Sequence, residues 1–419
     1  MAKCGVSGPL ARMVAWVALS VFQFGFGVSE LNAVQALLPC ARGARPADCA
    51  PLSAAAFGYV TAMFTVGGTV ASLLCAPAAR YTRSGRRTCL LVADALCAAG
   101  GLCLATASTA AGLAAGRLLQ GLCAGIAIVQ VPVYLQEIAP PPLAGEIGIM
   151  NQVAVVVGIF VAQAIGTCVT YSATLSWALV PCASVAVAVA HAVVGNMWAV
   201  ESPGWLDHEG ASLVGQVAHE RAAAIPGGNE RAPAASPDSP SFWDGMRVVL
   251  ITLVAQQLSG VNAILSYSTG ILGALLPRLA GGVGLFITLV NGALTFPPIW
   301  LISEDRVGRR NLLLFSAGGM AAASLVLAWS IWLGYAALSA VAIVACIAFF
   351  SDVSFGSSLA LGASWVTNII VAAGFPPLRA AFGRWDGGTG GLVFVPFAAV
   401  NFVTVVLVAR LYKGPGARV

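Results

Sequence analysis

Charge is what this 419-residue sequence has least of: Asp, Glu, Lys and Arg make up 9% of it, against about 25% in a soluble domain. That shortage excludes a water-soluble enzyme of this size, a nucleic-acid binder and a disordered chain, each of which needs charge on its surface or along its length. Histidine is scarce too, with only His191, His208 and His219, and their spacing is not that of metal ligands. There is no C-x-x-C and no His/Cys cluster, so neither a metal nor another cofactor is expected. No nucleophile–base–orienter set can be read, so no catalysis is expected. The 11 cysteines do not make a disulfide framework. Most of them (Cys75, Cys89, Cys97, Cys103, Cys123, Cys168, Cys182, Cys346) lie in apolar runs, where the side chain behaves as a small hydrophobe. Cys40 and Cys49 share one short polar loop, and their spacing leaves a paired and an unpaired state equally open.

What the chain does have is apolar length. Hydrophobic residues make up 59% and the mean hydropathy is +0.89. A spanning helix needs ~20 mostly apolar residues, and at roughly 30 to 35 residues per span with its loop the chain holds about twelve. The fold class expected is therefore an all-α membrane protein. Its spans read as 13–38, 55–79, 88–107, 111–135, 147–169, 175–199, 246–273, 280–302, 311–332, 336–355, 357–377 and 389–411. The first run is too long for a signal-peptide core, contains Glu30 and lacks a clear cleavage site, so it counts as a helix of the mature protein. One long loop, 201–245, divides the spans six and six. It gives an N-terminal half (1–200), a central loop and a C-terminal half (246–419). Trp205 to Arg221 reads as a short polar helix, and the stretch beyond it, with Pro226, Gly227, Gly228 and Pro233 to Pro240, as a flexible linker.

The formal charge of +5 has a place in this scheme. With both termini in the cytoplasm, Lys3, Arg12, Arg80, Arg83, Arg86, Arg87, Arg221, Arg231, Arg247, Arg306, Arg309, Arg310, Arg410, Lys413 and Arg418 all fall inside. Only Arg42, Arg45, Arg278, Arg379 and Arg384 fall outside, as the positive-inside rule requires.

The two halves also repeat a signal. Arg83-Ser84-Gly85-Arg86-Arg87 follows the second span, and Arg306-Val307-Gly308-Arg309-Arg310 follows the eighth. The same basic turn at matching positions points to parallel pseudo-symmetric halves. Further motifs are Gly116-Arg117-Leu118-Leu119-Gln120-Gly121, Pro132-Val133-Tyr134-Leu135-Gln136-Glu137-Ile138-Ala139-Pro140, Asn151-Gln152, Gly158 to Gln163, Glu201-Ser202-Pro203-Gly204-Trp205-Leu206, and Gln256-Gln257-Leu258-Ser259-Gly260-Val261-Asn262 with Tyr267-Ser268. Together they make the chain resemble the sugar porter family of the major facilitator superfamily over about residues 14 to 411. The resemblance implies a major facilitator fold of two six-helix halves in a lipid bilayer. It also implies alternating-access transport of a monosaccharide, with no covalent chemistry and no nucleic-acid partner. Gln257-Leu258-Ser259 is similar to the glucose-type members.

The residues support a sugar on their own terms. A sugar carries no charge, and its hydroxyls donate and accept. Amide side chains do both, and amides at membrane depth should face a cavity or another helix rather than lipid. Gln152, Gln163, Gln256, Gln257, Asn262 and Asn291 are such amides. The three in the 256–262 run, Gln256, Gln257 and Asn262, can share a cavity if the helix is irregular near Gly260. Polar contacts between helices are the plainer reading. The resemblance raises Gln152, Gln256, Gln257, Asn262 and Asn291 to substrate-binding candidates. It adds Trp365 as a sugar-stacking ring with Asn368 one turn later, and Tyr267 as an outer gate.

Charges inside the membrane raise the question of coupling. Arg117 resembles the span-4 arginine of the family. Proton-coupled relatives pair it with a span-1 aspartate, and here Gly27 stands at that position, which favours facilitated diffusion. Glu30 lies three residues on, nearly on the same face, and leaves open both proton coupling with Arg117 and a hydrated position at the outer mouth. Asp94 is expected near the cytoplasmic end beside the basic turn, and His191 as a polar group within span 6.

The chain departs from the family pattern in three places. Ala144-Gly145 and Pro203-Gly204 stand where an arginine is usual, while Glu137, Glu146 and Glu201 remain. Span 10 and its following loop run from Phe349 to Ser357 straight into span 11, about 20 residues shorter than the pattern and the length of a span allow. A working shortened carrier, a non-transporting sugar sensor and a transcript lacking an exon each account for this. Span 8 carries Pro297-Pro298 and two extra residues before Asp305.

Overall fold

The computed structural model describes residues 8–31, 34, 54–140, 143–172, 174–202, 205–206, 247, 250–251, 253–261, 285–286, 288–290, 292–293, 309–349 and 358–411. Among them there is no strand. The helices are α1 (Gly8–Ser29), α2 (Ala54–Thr82), α3 (Arg86–Thr106), α4 (Ala110–Ile138), α5 (Ala144–Tyr171), α6 (Leu179–Trp198), α7 (Arg309–Trp332), α8 (Ala336–Phe349), α9 (Ser358–Gly383) and α10 (Phe394–Leu411). Eight of the described helices are long and apolar enough to cross a membrane, six in the first part of the chain and two in the second. α8 is apolar but shorter. The expected spans at 246–273 and 280–302 lie largely outside the described residues.

The chain forms two compact units, Met1–Ala234 and Ala235–Val419. In the first, α2 packs along α4, α3 lies between α4 and α6, and α1 packs against α5, α4 and α6. Close approach is possible because glycine faces backbone. A Cβ on Gly121 of α4 would sit 2.1 Å from the Phe64 carbonyl of α2, so only a residue without one lets the two helices approach this closely. Three apolar clusters are described in this unit, one around Trp16, Val17, Val131 and Tyr134, one around Phe26, Leu104, Leu113 and Val180, and a smaller one of Ala93, Cys97, Cys123 and Ala188. Thr109 caps α4 by accepting from the Gly112 N–H at 3.1 Å, which satisfies one of the free donors of the first turn.

In the second unit α7 packs against α8 and α10. Its core joins Leu327, Ile343, Cys346, Phe375, Phe394 and Phe397. α7 ends in Gly334, whose φ of +74° suits a residue without a side chain. A single 3-10 turn (Gly391–Val393) leads into α10.

One sequence expectation changes here. α1 runs from Gly8 and stops at Ser29, so the apolar run 13–38 is not one helix; Glu30 and Leu31 lie in a turn beyond its end. α8 covers Ala336–Phe349, and the rest of the span expected to 355 lies outside the described residues.

Candidate functional site

The end of α1 brings a carboxylate to α4. Glu30 follows directly on the last helical residue, and Arg117 lies two turns into α4 with Gln120 one turn beyond it. Arg117 Nη1 donates to Glu30 Oε2 at 3.4 Å, to the Gly27 carbonyl at 2.7 Å and to Gln120 Oε1 at 3.4 Å. Gln120 Nε2 donates to Glu30 Oε1 at 3.2 Å. The guanidinium also stands 4.3 Å from the centre of the Phe64 ring, close enough for a cation–π contact. Glu30, Arg117 and Gln120 are 0%, 2% and 3% exposed, so the hydrated reading of Glu30 fails. A charge removed from water must be paired, and here each charge pairs the other. Gly27, at the position where the resemblance places an aspartate, contributes its backbone carbonyl instead. Next to this pair, Ser29 Oγ donates to Gln163 Oε1 at 2.9 Å, tying α1 to α5.

Asp94 does not sit beside the basic turn. It lies eight residues into α3 and is buried, with Oδ2 2.7 Å from His191 Nδ1 and Oδ1 accepting from Gln23 Nε2 at 3.0 Å. The sequence marks both Asp94 and His191 as ionisable groups within spans. Their pairing, across 97 positions of the chain, has no local signal.

The basic turn is organised by Glu201 instead. Its Oε1 accepts from the backbone N–H of Arg87 at 2.7 Å and of Ser202 at 3.2 Å. This places a carboxylate on the first turn of α3, where the free N–H groups and helix dipole favour an anion. Burial pushes the Glu201 carboxyl above the usual carboxylate range, against the pull of the backbone N–H groups of Arg87, Ser202 and Thr88 and of the Arg87 charge. Gly85 is required here, because a Cβ would meet that carboxylate at 2.1 Å. Arg87 donates to the Gly195 carbonyl and to Asn196, Arg86 pairs with Glu137 at 3.2 Å, and the Tyr134 hydroxyl donates to the Val200 carbonyl. Glu146 is exposed. Two of the three acidic residues thus find partners in the basic turn itself.

The substrate candidates divide. Gln152 lies half-buried on α5, next to Asn151, whose buried Oδ1 has no hydrogen-bond partner among the described residues. Gln256 and Gln257 are half-buried in a helical segment, 253–258, that stops just before Gly260 with φ +86°; the chain is irregular where the amide spacing needs it to be. Gln256 lines a small cavity with Ser259, Ser316, Asn401 and Thr404. Trp365 is buried on α9, and Asn368 is half-buried one turn later. Asn262, Tyr267 and Asn291 lie outside the described residues, as do Cys40 and Cys49.

Eight apolar helices of membrane-crossing length among the described residues, with Glu30 paired to Arg117 and Asp94 to His191 inside the first unit, are the marks of a multi-pass membrane protein. A structure of the xylose transporter XylE from E. coli, in a partially occluded inward-open conformation, shares the fold with a TM-score of 0.79 over 99% of this chain and 100% of that one, at 17% identity. The proton:xylose symporter XylE bound to 6-bromo-6-deoxy-D-glucose superposes with a TM-score of 0.76 at 17% identity, covering 96% of each chain. The fold is that of the major facilitator superfamily.

The chain belongs to the sugar (and other) transporter family, whose pattern it matches over residues 13–356. A probable metabolite transport protein of Saccharomyces cerevisiae is 28% identical, covering 80% of this chain and 76% of its own. The facilitated glucose transporter member 3 of Bos taurus is 27% identical, covering 82% and 75%.

Proposed function

We propose that this protein carries a monosaccharide, a hexose of glucose type, across a membrane by alternating access and facilitated diffusion. Membership of the sugar transporter family over residues 13–356 is the observation that carries the reading. The chemistry agrees with it: Gln152, Gln256, Gln257, Asn262, Asn291 and Asn368 are uncharged groups that match hydroxyls in both directions, and Trp365 offers a flat apolar face to a sugar ring. The Trp365 indole is buried, and Gln152, Gln256, Gln257 and Asn368 are half-buried; amides at membrane depth should face a cavity or another helix. Counterflow of labelled glucose into liposomes containing the purified protein tests it. Exchange of label is the expected result; sugar binding without exchange would make the protein a sensor.

One observation favours a second reading, proton–sugar symport. Glu30 is fully buried against Arg117, where it is able to alternate between paired and protonated states. Alkalinisation outside the liposomes on adding sugar would establish symport, and its absence would leave the uniporter. We place the protein in the plasma membrane with both termini in the cytoplasm, on the distribution of Lys and Arg. A tag at either end, reached by antibody only after permeabilisation, checks the orientation.

A further inference from the structure

A second buried ionisable pair meets α1 at Gln23, Ser20 and Trp16, about two to four turns from Glu30, and nothing in the transport reading uses it. His191 of α6 is 1% exposed and Asp94 of α3 is 2% exposed. His191 Nδ1 stands 2.7 Å from Asp94 Oδ2. On the other side of the ring, Nε2 stands 2.8 Å from the Trp16 carbonyl oxygen and 3.3 Å from Ser20 Oγ. The ring stacks on the Trp16 indole, with centres 4.7 Å apart and planes within 2°. That indole donates back to the His191 carbonyl at 3.1 Å. The imidazole is therefore fixed in place and in rotation.

The acceptors decide where the protons are. A carbonyl oxygen only accepts, so Nε2 must carry a hydrogen; a lone pair facing that oxygen at 2.8 Å would be repelled. The 2.7 Å contact between Nδ1 and Oδ2 then needs one proton between them; imidazole is a stronger base than a carboxylate, and Asp94 Oδ1 accepts from Gln23 Nε2 at 3.0 Å, so the proton is assigned to Nδ1, which donates to Oδ2. We infer that His191 and Asp94 form a proton-binding site in the N-terminal unit, in which His191 is held as an imidazolium clamping α6 to α1 and α3. The proton is the ligand: it sits on Nδ1, between the ring and the carboxylate. Its loss leaves a nitrogen lone pair facing a carboxylate and removes the charge that balances Asp94. The site stands whether or not the chain carries sugar.

The surroundings of the pair are otherwise neutral among the described residues. α1 presents Trp16, Ser20 and Gln23, none of which titrates in the neutral range. α3 adds only the Cys97 thiol, which meets Ser184 of α6 at 3.3 Å, and α4 adds the Cys123 thiol. The Glu30–Arg117 pair has its own partners. No other charge stands ready to compensate a lost proton.

Two variants separate the proton from the packing. Asp94→Asn keeps the shape and lets the amide donate to a neutral ring nitrogen, so the clamp survives without the proton. His191→Gln removes the ring and identifies its signals. The measurement is the ring-nitrogen spectrum of the full chain, labelled with ¹⁵N-histidine, in detergent at neutral pH. The expected result is one histidine with both nitrogens protonated, absent in His191→Gln and turned into neutral imidazole in Asp94→Asn. A neutral imidazole at His191 in the unaltered protein, or a spectrum unchanged by Asp94→Asn, would overturn the proposal. If His191→Gln does not fold, replacing the other two histidines, His208→Gln and His219→Gln, leaves His191 as the one labelled ring and identifies the same signals.

Discussion

The carboxylate of Glu30 and the guanidinium of Arg117 meet at 3.4 Å in a place where neither touches water. Removing one partner strands the other charge, which costs about 3–5 kcal/mol for a buried pair. Arg117→Leu should therefore lower the unfolding temperature in detergent sharply, and Glu30→Gln should do so less, because the amide still accepts from Arg117. Combining Glu30→Gln with Arg117→Leu should recover part of the loss. If the double variant is as unstable as the sum of the singles, the two charges do not act as a pair.

At the other end of the same unit, Gly85 makes room for Glu201 over the start of α3. Gly85→Ala drives a methyl into the carboxylate and displaces it from the Arg87 N–H. The loss expected is that of a helix cap, about 1–2 kcal/mol. Glu201→Gln keeps an acceptor and should cost less than Glu201→Ala. Thermal unfolding ranks the three, and an order with Gly85→Ala harmless would mean that Glu201 does not cap the helix.

Glycines with and without backbone against them should respond oppositely to the same change. Gly121→Ala places a Cβ 2.1 Å from the Phe64 carbonyl, and because that atom belongs to backbone the helices must part, at about 1–3 kcal/mol. A Cβ on Gly318 of α7 meets nothing within 4 Å, so Gly318→Ala should be neutral or stabilise by about 0.5–1 kcal/mol through helix propensity. Unfolding temperatures moving in the same direction would contradict the packing of α2 on α4.

The turn between α9 and α10 provides an acid-sensitive element. Burial opposes the charge of Asp386, but the N–H groups of Gly390, Leu392 and Gly391 and the Thr389 hydroxyl outweigh it and hold the carboxyl below the usual range. A depressed value means the folded state holds the proton less tightly than the unfolded chain. The stabilisation is then complete above the ordinary aspartate value, about 3.9, and is lost as pH falls through the folded one. Asp386→Asn should be less stable at neutral pH, with the difference narrowing in acid. A constant gap would rule out a titrating Asp386.

The motifs and the hydropathy carried much of this molecule in the sequence. The family pattern placed Arg117 and Glu201, and apolar length placed α2 to α7 to within a few residues. The end of α1 escaped, because Glu30, Asn32 and Gln35 are too few among their apolar neighbours to break a run read by hydropathy. Glu30 was legible as a choice between buried and hydrated; only the approach of α4 decided it. The partners of Asp94 and Glu201 lay 97 and 114 positions away, beyond any local rule. The irregular backbone at Gly260 is the condition under which the 256–262 amides can share a cavity, and the sequence named it only as a condition.

The close seat of α2 on α4 has a mechanical consequence. Gly67 of α2 and Gly121 and Gly125 of α4 each face backbone of the other helix, so no flexible side chain cushions the two rods along that seam. Backbone does not swivel as a side chain does, so α2 and α4 move as one stiff body, and any bending within this unit falls at its other seams.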